Sequence, residues 1–463
     1  MKKITYSLIA FSLLSSASFG ATDLDTSLSQ DHTFEKDTPK TQGIEIVDGW
    51  EVSGDIRAGW VQYDYQNRPT GIDSSGNITP TDPNINKGHI DSRGIYTTPK
   101  ISISSPKDSR IGVKATLAGA TDFGINDEKY EQRTFVFDPN ERKSFLIIQE
   151  GYLSYEDKNH KALVGREELT TPMVYADDWY MLANSFELAY YTNSSLENMT
   201  FNLGYFNKMS GVWDSGANGT EFHSMSQASF IDGADKAAIG DKGVYFAALE
   251  YNDDKNHNLQ VWNYYAEDMY NTLFMQYDFT GSIGSFNYDL GAQLMNFKEV
   301  GYLATDAAST NIDYSLYSAR FDGSFANGID FATGVAKYTS GEGQGATLGA
   351  FGGYPYFANG MIFHFFEAGS LRNAASAKAQ IGYDFAKLGV DNLWVGYRYT
   401  MFNLDSQYSK NASGEAQSAM ALNGIRLSYG GSAGAYFTGT YEHVNLDNEP
   451  NTFSLRLIGG YKF

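Results

Sequence analysis

Residues 452–463, the last twelve of the chain, alternate between two kinds of side chain. Apolar residues from Phe453 to Phe463 occupy one parity, and polar residues such as Arg456 occupy the other, with Ile458 as the exception. A period of two predicts a β-strand whose two faces meet different surroundings. An apolar outer face that ends on aromatics is typical of a transmembrane barrel strand, and an edge strand of a soluble sandwich is the alternative.

The same alternation recurs along the chain and predicts eighteen strands. Each has about the 9–11 residues, or somewhat more, that cross a membrane at a tilt. The predicted strands are 52–65, 94–105, 110–119, 144–156, 161–168, 185–193, 198–208, 243–252, 257–265, 271–279, 285–297, 313–325, 329–338, 376–386, 392–402, 417–429, 434–444 and 452–463.

The connections between these strands alternate between short and long. The short ones carry Gly, Asn and Asp, as tight hairpins require; they are 106–109, 157–160, 193–196, 253–256, 280–284, 326–328, 387–391 and 430–433. The long ones are 66–92, 120–143, 169–184, 209–242, 298–312, 339–375 and 403–416. Short turns on one rim and long loops on the other favour an all-β, antiparallel transmembrane barrel of about 18 strands, with both termini on the periplasmic side.

The first residues predict export. Met1 is followed by two lysines, an apolar run over 4–14 and small residues before Ala21. This is the pattern of a secretory signal peptide, too short for a stable membrane anchor. We therefore expect a signal peptide at 1–20, a polar periplasmic lead-in at 21–50 and an outer-membrane barrel at 51–463.

Composition agrees with this architecture. The chain has no cysteine, so a disulfide framework is excluded, and a closed barrel is another source of stability because it leaves no unpaired edge. Its 47 Gly, 33 Tyr and 30 Phe against 10 Pro suit a barrel with aromatic girdles. The net charge of -21 argues against nucleic acid as a partner.

Strand parity and the cost of charge in lipid predict a basic lumen. A charge on the lipid face near the midplane costs about 2–4 kcal/mol, which favours inward placement. The basic residues that we expect to line the pore are Arg57, Lys114, Arg320, Arg398, Arg426 and Arg456, together with Arg166 of the Leu-Val-Gly-Arg motif at 163–166. They form either a track for anionic solutes or structural pairs with inward carboxylates such as Asp55, Asp322 and Asp384.

Catalysis is not expected. The 7 histidines are scattered over turns and loops without metal-ligand spacing, and neither a nucleophile elbow nor a phosphate-binding glycine motif is present. We expect no catalytic residue, no cofactor and no metal site.

Two segments resemble the OprD-type family of substrate-specific porins. The first runs from Leu-Val-Gly-Arg at 163–166 through Thr-Pro at 171–172 and Asp-Asp at 177–178 to Asn-Ser-Phe at 184–186. The second has Ala-Gly at 368–369 and Tyr-Asp-Phe-Ala-Lys-Leu-Gly-Val at 383–390. The resemblance implies an 18-stranded monomeric or trimeric porin with an arginine-lined lumen and a third loop that folds inward as a constriction.

The resemblance places the constriction in loop 169–184, with Asp177, Asp178, Trp179 and Tyr180 as its candidate residues. Trp179 and Tyr180 stand where the family usually has Arg-Leu, so an altered constriction is expected, and the family's solute preference is not transferred.

The function that follows is passive diffusion of small hydrophilic, charged solutes through a water-filled channel. The expected partners are these solutes, outer-membrane lipid and lipopolysaccharide, the barrel-assembly machinery through Phe463, and two further copies if the protein is a homotrimer. Two alternatives stay open. One is an adhesin or structural barrel that does not conduct; the other is a transporter of hydrophobic solutes, for which residues 21–50 are short and polar as an internal hatch.

Overall fold

The computed structural model describes most of the chain outside the amino-terminal region and the long loops. The described residues are 44–47, 49–65, 70–72, 78–80, 91–127, 136–137, 143–176, 181–210, 221–228, 236–253, 255–305, 313–339, 351–353, 355–363, 370–411, 414–430, 434–449 and 451–463. The expected signal peptide and most of the expected lead-in lie outside these ranges.

Eighteen antiparallel strands form one closed barrel. In chain order, β1 to β18 are Trp50–Tyr65, Ser92–Ser104, Ile111–Ala120, Phe145–Glu156, His160–Glu167, Ser185–Leu196, Met199–Ser210, Val244–Asn252, His257–Ala266, Tyr270–Ile283, Phe286–Glu299, Tyr314–Phe325, Ile329–Tyr338, Ala375–Asp384, Leu393–Asn403, Ala419–Gly430, Ala435–Leu446 and Thr452–Lys462. The prediction of an 18-stranded barrel is confirmed, and each predicted strand overlaps one of these.

The barrel closes because β1 pairs with β2 on one side and with β18 on the other. The carboxy-terminal residue takes part: Phe463 and Gly54 exchange two backbone hydrogen bonds, of 2.9 and 3.0 Å. Every other neighbouring pair is consecutive in the chain, as in an up-and-down barrel. Closure leaves no sheet edge, which is the condition for strands to cross lipid.

Short elements accompany the barrel. Ile44–Val47 pairs with the start of β1, Thr70–Ile72 pairs with Ile78–Pro80, and His223–Ser224 pairs with the end of β7. The helical turns are Met225–Ala228, Lys236–Ile239, Leu303–Thr305 and Phe385–Leu388. No described helix has the length and apolar character needed to span a membrane.

The short turns are held by aspartates. In the turn between β4 and β5, Asp157 Oδ1 accepts the backbone N–H groups of Asn159 and His160, both at 2.9 Å. Asp253 does the same between β8 and β9, where Asn256 and His257 donate at 2.9 Å. These Asx-type turns fix the hairpins and thereby the register of the strands that they join.

Strand parity separates a lipid face from a lumen face. In β15, Tyr397 and Tyr399 are 43% and 38% exposed, whereas Arg398 between them is 4% exposed. The last strand has the predicted parity, with Phe453, Leu455 and Leu457 on the face opposite Arg456. Ile458, the exception to the alternation, points inward and packs against the apolar core of the lumen.

That core fills the end of the barrel from which the long loops leave. Its wall is made of inward aromatics near the loop ends of β6 to β13, such as Phe186, Phe206, Trp262 and Phe297, all at most 2% exposed. The inward faces near the short turns are more polar. The core gives the inward-folded loops an apolar surface on which to pack.

Candidate functional site: the lumen and its charged walls

One half of the inner wall is basic. Reading around the barrel from β14 to β3, seven of eight consecutive strands carry at least one inward Lys or Arg. These residues are Lys378, Arg398, Arg426, Arg456, Lys462, Arg57, Lys100 and Lys114. The inward carboxylates of the same strands are fewer, namely Asp384, Glu442, Glu51 and Asp55. The excess of cations gives this half a net positive charge.

Arg57, Arg426 and Arg456 lie on this half, as the sequence predicts. Arg57 Nε donates to Asp55 Oδ2 at 2.8 Å, and Asp55 also accepts from Tyr436. Arg426 is half-buried, and its Nε donates to Thr440 Oγ1 at 3.2 Å. Arg426 and Arg456 are both opposite Thr440 in register, so the two guanidinium groups occupy neighbouring strands on either side of β17.

Lys114 is also on the lumen face, in a pair with a buried carboxylate. Its Nζ lies 2.8 Å from Glu150 Oε2, and Thr116 Oγ1 donates to the same oxygen at 2.6 Å. Lys100, on the adjacent β2, pairs with Glu168 at the start of the third long loop. Strand parity would have found Lys100, because Ile101 and Ile103 beside it are exposed on the lipid face.

The opposite half of the wall is acidic. Strands β8 to β13 carry inward Glu250, Asp278, Asp289, Asp322 and Asp330, against one cation. That cation, the predicted Arg320, lies among three of them. Its Nη2 is 2.9 Å from Asp278 Oδ1 and 3.0 Å from Asp289 Oδ2, and its Nε is 3.7 Å from Asp322 Oδ2.

Arg398 faces inward but is covered by a loop. Its Nε and Nη2 donate to Gln380 Oε1 at 2.8 and 2.6 Å, and its Nη1 donates to the Gly360 carbonyl oxygen at 3.0 Å. Arg398 therefore lies on the lumen face, but the segment that contains Gly360 covers it. No local sequence pattern indicates this contact.

The assignment of Arg166 to the pore is wrong. Its parity is that of Val164, which is 56% exposed on the lipid face, whereas Leu163 and Glu167 are buried inside. Arg166 Nη2 lies 2.8 Å from Glu187 Oε1, and Glu187 is itself on the outer face of β6. Both charges lie near the loop ends of their strands, where a charge on the outer face costs little, and they neutralise each other.

Two loops enter the lumen and meet there. The described parts of the third long loop are buried, with Val174 at 0% exposure and Met181 at 1%. Tyr175 N donates to Phe351 O at 3.0 Å, which joins this loop to the segment that begins at Phe351. Thr98 Oγ1 donates to Met181 O at 3.0 Å and ties the loop to β2. The inward-folded constriction loop expected from the resemblance is thus present.

The four candidate constriction residues, Asp177, Asp178, Trp179 and Tyr180, lie outside the described residues. Their roles stay predictions. Among the residues that the structure describes, no group of three or more His, Asp or Glu side chains is arranged to hold a metal ion.

A closed barrel with an apolar exterior, a charged lumen and loops folded into that lumen defines an outer-membrane channel. Comparison with known proteins gives the family. The model of the OprD family of outer membrane porins matches residues 160–429, more than half of the chain. The protein belongs to the OprD family.

Solved structures agree on the fold. OccK9 (OpdG) of Pseudomonas aeruginosa matches with a TM-score of 0.70 and 12% identity, covering 89% of this chain and 98% of that chain. OccAB4 of Acinetobacter baumannii matches with a TM-score of 0.69 and 16% identity over 91% and 99%. OpdK of P. aeruginosa, solved with vanillate, has a TM-score of 0.64 and 15% identity over 89% and 98%. No curated protein matches the sequence.

Proposed function

We propose that this porin is a narrow passive channel that favours small organic anions, above all carboxylates. The observation that carries the proposal is the basic half of the wall, where inward cations other than the covered Arg398 occur on six of eight consecutive strands. Rows of like charge along a pore set ion selectivity, because each cation lowers the energy of an anion that passes it. Transport of this kind needs no turnover chemistry.

The acidic half across the lumen supports the proposal further. Asp278, Asp289 and Asp322 surround a single guanidinium group, so their cluster keeps a net negative charge. A solute that has a carboxylate and a neutral or positive end experiences opposite potentials from the two walls. The field across the lumen orients it as it passes and favours charged, dipolar solutes over neutral ones of the same size.

The ligand with which one structural relative was solved is of the same chemical class. Vanillate, with which OpdK was solved, is an aromatic carboxylate. At 15% identity this likeness concerns the fold, so vanillate enters here only as an example of a small organic anion to be tested.

The partners that we propose besides solutes follow from the outer-membrane location. One is lipopolysaccharide, which would contact the rim that carries the long loops. The other is the barrel-assembly machinery, which would bind the carboxy-terminal Phe463 before that residue pairs with Gly54. The assembly that we propose is a homotrimer in which the outer faces of β2 and β3 form the contact between subunits. The lipid-facing side chains there, such as Ile101, Ile103 and Val113, are aliphatic, without the aromatics of the neighbouring strands. Chemical cross-linking in membranes that gave no trimer band would contradict it.

The test of charge selectivity is the reversal potential in planar bilayers under a salt gradient. The Arg426→Gln/Arg456→Gln double variant should shift the reversal potential toward cation preference, because two cations of the inner wall are lost. The matched control is Lys107→Gln/Lys158→Gln, which removes two exposed cations from short turns outside the lumen. Equal reversal potentials for the wild type and the double variant would refute the proposal.

A further inference from the structure

Residues 355–363, which we call the strap, run along the inside of the barrel wall. The strap is buried along its length, from Tyr356 at 0% exposure to Phe363 at 4%. Its sequence, Pro-Tyr-Phe-Ala-Asn-Gly-Met-Ile-Phe, has no charge. A chain segment inside a lumen must satisfy its backbone polar groups there, so its hydrogen bonds show what holds it.

Side chains of the neighbouring strands β14 and β15 donate hydrogen bonds to the carbonyl groups of the strap. Ser376 Oγ of β14 donates to the Ala358 carbonyl oxygen at 3.0 Å, and Thr400 Oγ1 of β15 donates to the Asn359 carbonyl oxygen at 2.8 Å. On the same strand, Arg398 binds the carbonyl oxygen of Gly360. Side chains of the wall thus satisfy three consecutive carbonyl groups of the strap.

Glu442 of β17 accepts hydrogen bonds from the N–H groups of the next three strap residues. Its Oε1 accepts the N–H of Met361 at 2.7 Å, and its Oε2 accepts the N–H groups of Ile362 and Phe363 at 2.6 and 2.7 Å. Glu442 is itself 0% exposed. Glu442 thus accepts three hydrogen bonds from the strap, whereas Ser376, Thr400 and Arg398 each donate one, so this side chain makes the largest number of these attachments.

The wall is also shaped to receive the strap. A Cβ atom on Gly334 of β13 would lie 2.6 Å from the Phe357 carbonyl oxygen, and one on Gly424 of β16 would lie 2.7 Å from Met361 Sδ. Both glycines are on the lumen face. A larger residue at Gly334 would meet the backbone of Phe357 and push the strap into the lumen, whereas one at Gly424 would displace the Met361 side chain, so Gly334 in particular permits the close approach of the strap.

We propose that Glu442 is a positioning residue of the channel: it holds the strap in this seat, and the strap sets the cross-section of the pore and keeps Arg398 out of the solute path. The inference rests on the protein being a channel but not on its preference for anions. Glu442→Gln replaces one carboxylate oxygen by an NH2 group, so at least one of the three adjacent N–H groups loses its acceptor and faces a second donor, and the strap leaves the wall.

The first experiment measures access to the wall behind the strap. Because the chain has no cysteine, Ser376→Cys introduces a single thiol, at a position that is 4% exposed under the strap. Although this change removes one strap hydrogen bond, we expect the thiol to react slowly with a membrane-impermeant methanethiosulfonate as long as Glu442 and Thr400 hold the strap. Adding Glu442→Gln should accelerate the reaction by at least about tenfold, the factor that corresponds to 1.4 kcal/mol, and should change the single-channel conductance.

The matched control for charge is Asp384→Asn in the same Ser376→Cys background. Asp384 is also an inward carboxylate, at the far end of the strand that carries Ser376, where its Oδ1 accepts the Ala386 N–H at 2.9 Å. The thiol should stay protected in this variant. Heat-modifiable migration on gels shows in every case that the barrel is folded.

A second variant displaces the strap without altering any charge. Gly334→Ala places a methyl group against the backbone of Phe357, and we expect it also to expose the Ser376→Cys thiol. Its control is Gly459→Ala on the lipid face, where a Cβ would meet its nearest neighbours at an ordinary 3.7 Å. If Glu442→Gln prevents folding, the reactivity of the Ser376→Cys thiol in the Gly334→Ala variant tests the proposal by itself.

Folded variants in which the thiol stays as protected as before and the conductance is unchanged would overturn the proposal. A release of the strap in a channel without anion preference would leave the inference standing and refute only the proposed selectivity.

Discussion

Arg320 is the single inward cation on strands β8 to β13. Its removal therefore tests directly how much the ion pairs of the acidic half contribute to the stability of the barrel. Arg320→Gln leaves Asp278, Asp289 and Asp322 without the guanidinium group that lies 2.9, 3.0 and 3.7 Å from their oxygens. Removing one partner of a buried ion pair costs about 3–5 kcal/mol, because a buried charge is left uncompensated. The Arg320 side chain is 12% exposed, so we expect a loss near the lower limit, about 3 kcal/mol.

The assay is the free energy of unfolding from urea titration of the protein refolded into lipid vesicles. Adding Asp289→Asn to Arg320→Gln should restore about 1 kcal/mol or more, because one of the three like charges is removed. The control is Lys107→Gln, which breaks an exposed pair with Glu51 and should cost less than about 1 kcal/mol. A loss below 1 kcal/mol for Arg320→Gln, or no recovery in the double variant, would refute the reasoning.

Three further outcomes are expected. Ile381→Arg, at a lipid-facing position that is 57% exposed, should lower the free energy of unfolding by about 2–4 kcal/mol if the position lies near the midplane, as measured by the same titration. Hydrogen bonds from the Asn159 and His160 amides hold the pKa of Asp157 below its usual value, so its ionised form stabilises the turn. That contribution should be complete above about pH 5, where the unfolded carboxyl is almost fully ionised, and should be lost as pH falls through the lowered folded pKa, as amide hydrogen exchange of the turn will show. Asp177→Asn/Asp178→Asn should shift the reversal potential, and an unchanged value would remove both residues from the constriction.

The barrel itself was predictable because its signal is local. Alternation assigned Arg398, Arg426 and Arg456 to the lumen face, since a one-residue shift would have placed each in lipid. The same rule contradicts the assignment of Arg166, which rested on its place in a family-like motif, while its neighbour Val164 faces lipid. Parity therefore assigns faces more reliably than motif membership does.

The contents of the lumen were not predictable in the same way. Parity places Glu442 inward, but the strap amides that it binds are about 80 residues away in the chain, and no periodic pattern encodes such a contact. The sequence predicts only that the strap belongs to the long connection 339–375. The position of the strap in the lumen depends on glycines and hydroxyl groups from several distant strands of the wall, and these residues come together only in the folded barrel.

The central claim is that a closed barrel encloses a conducting lumen with one basic wall. Single-channel recording of the purified protein in planar bilayers under a salt gradient tests it most directly. We expect discrete conductance steps, a reversal potential on the anion side, and a smaller current when a small carboxylate is added. Folded, inserted protein without conductance steps would contradict the claim and favour the non-conducting structural barrel.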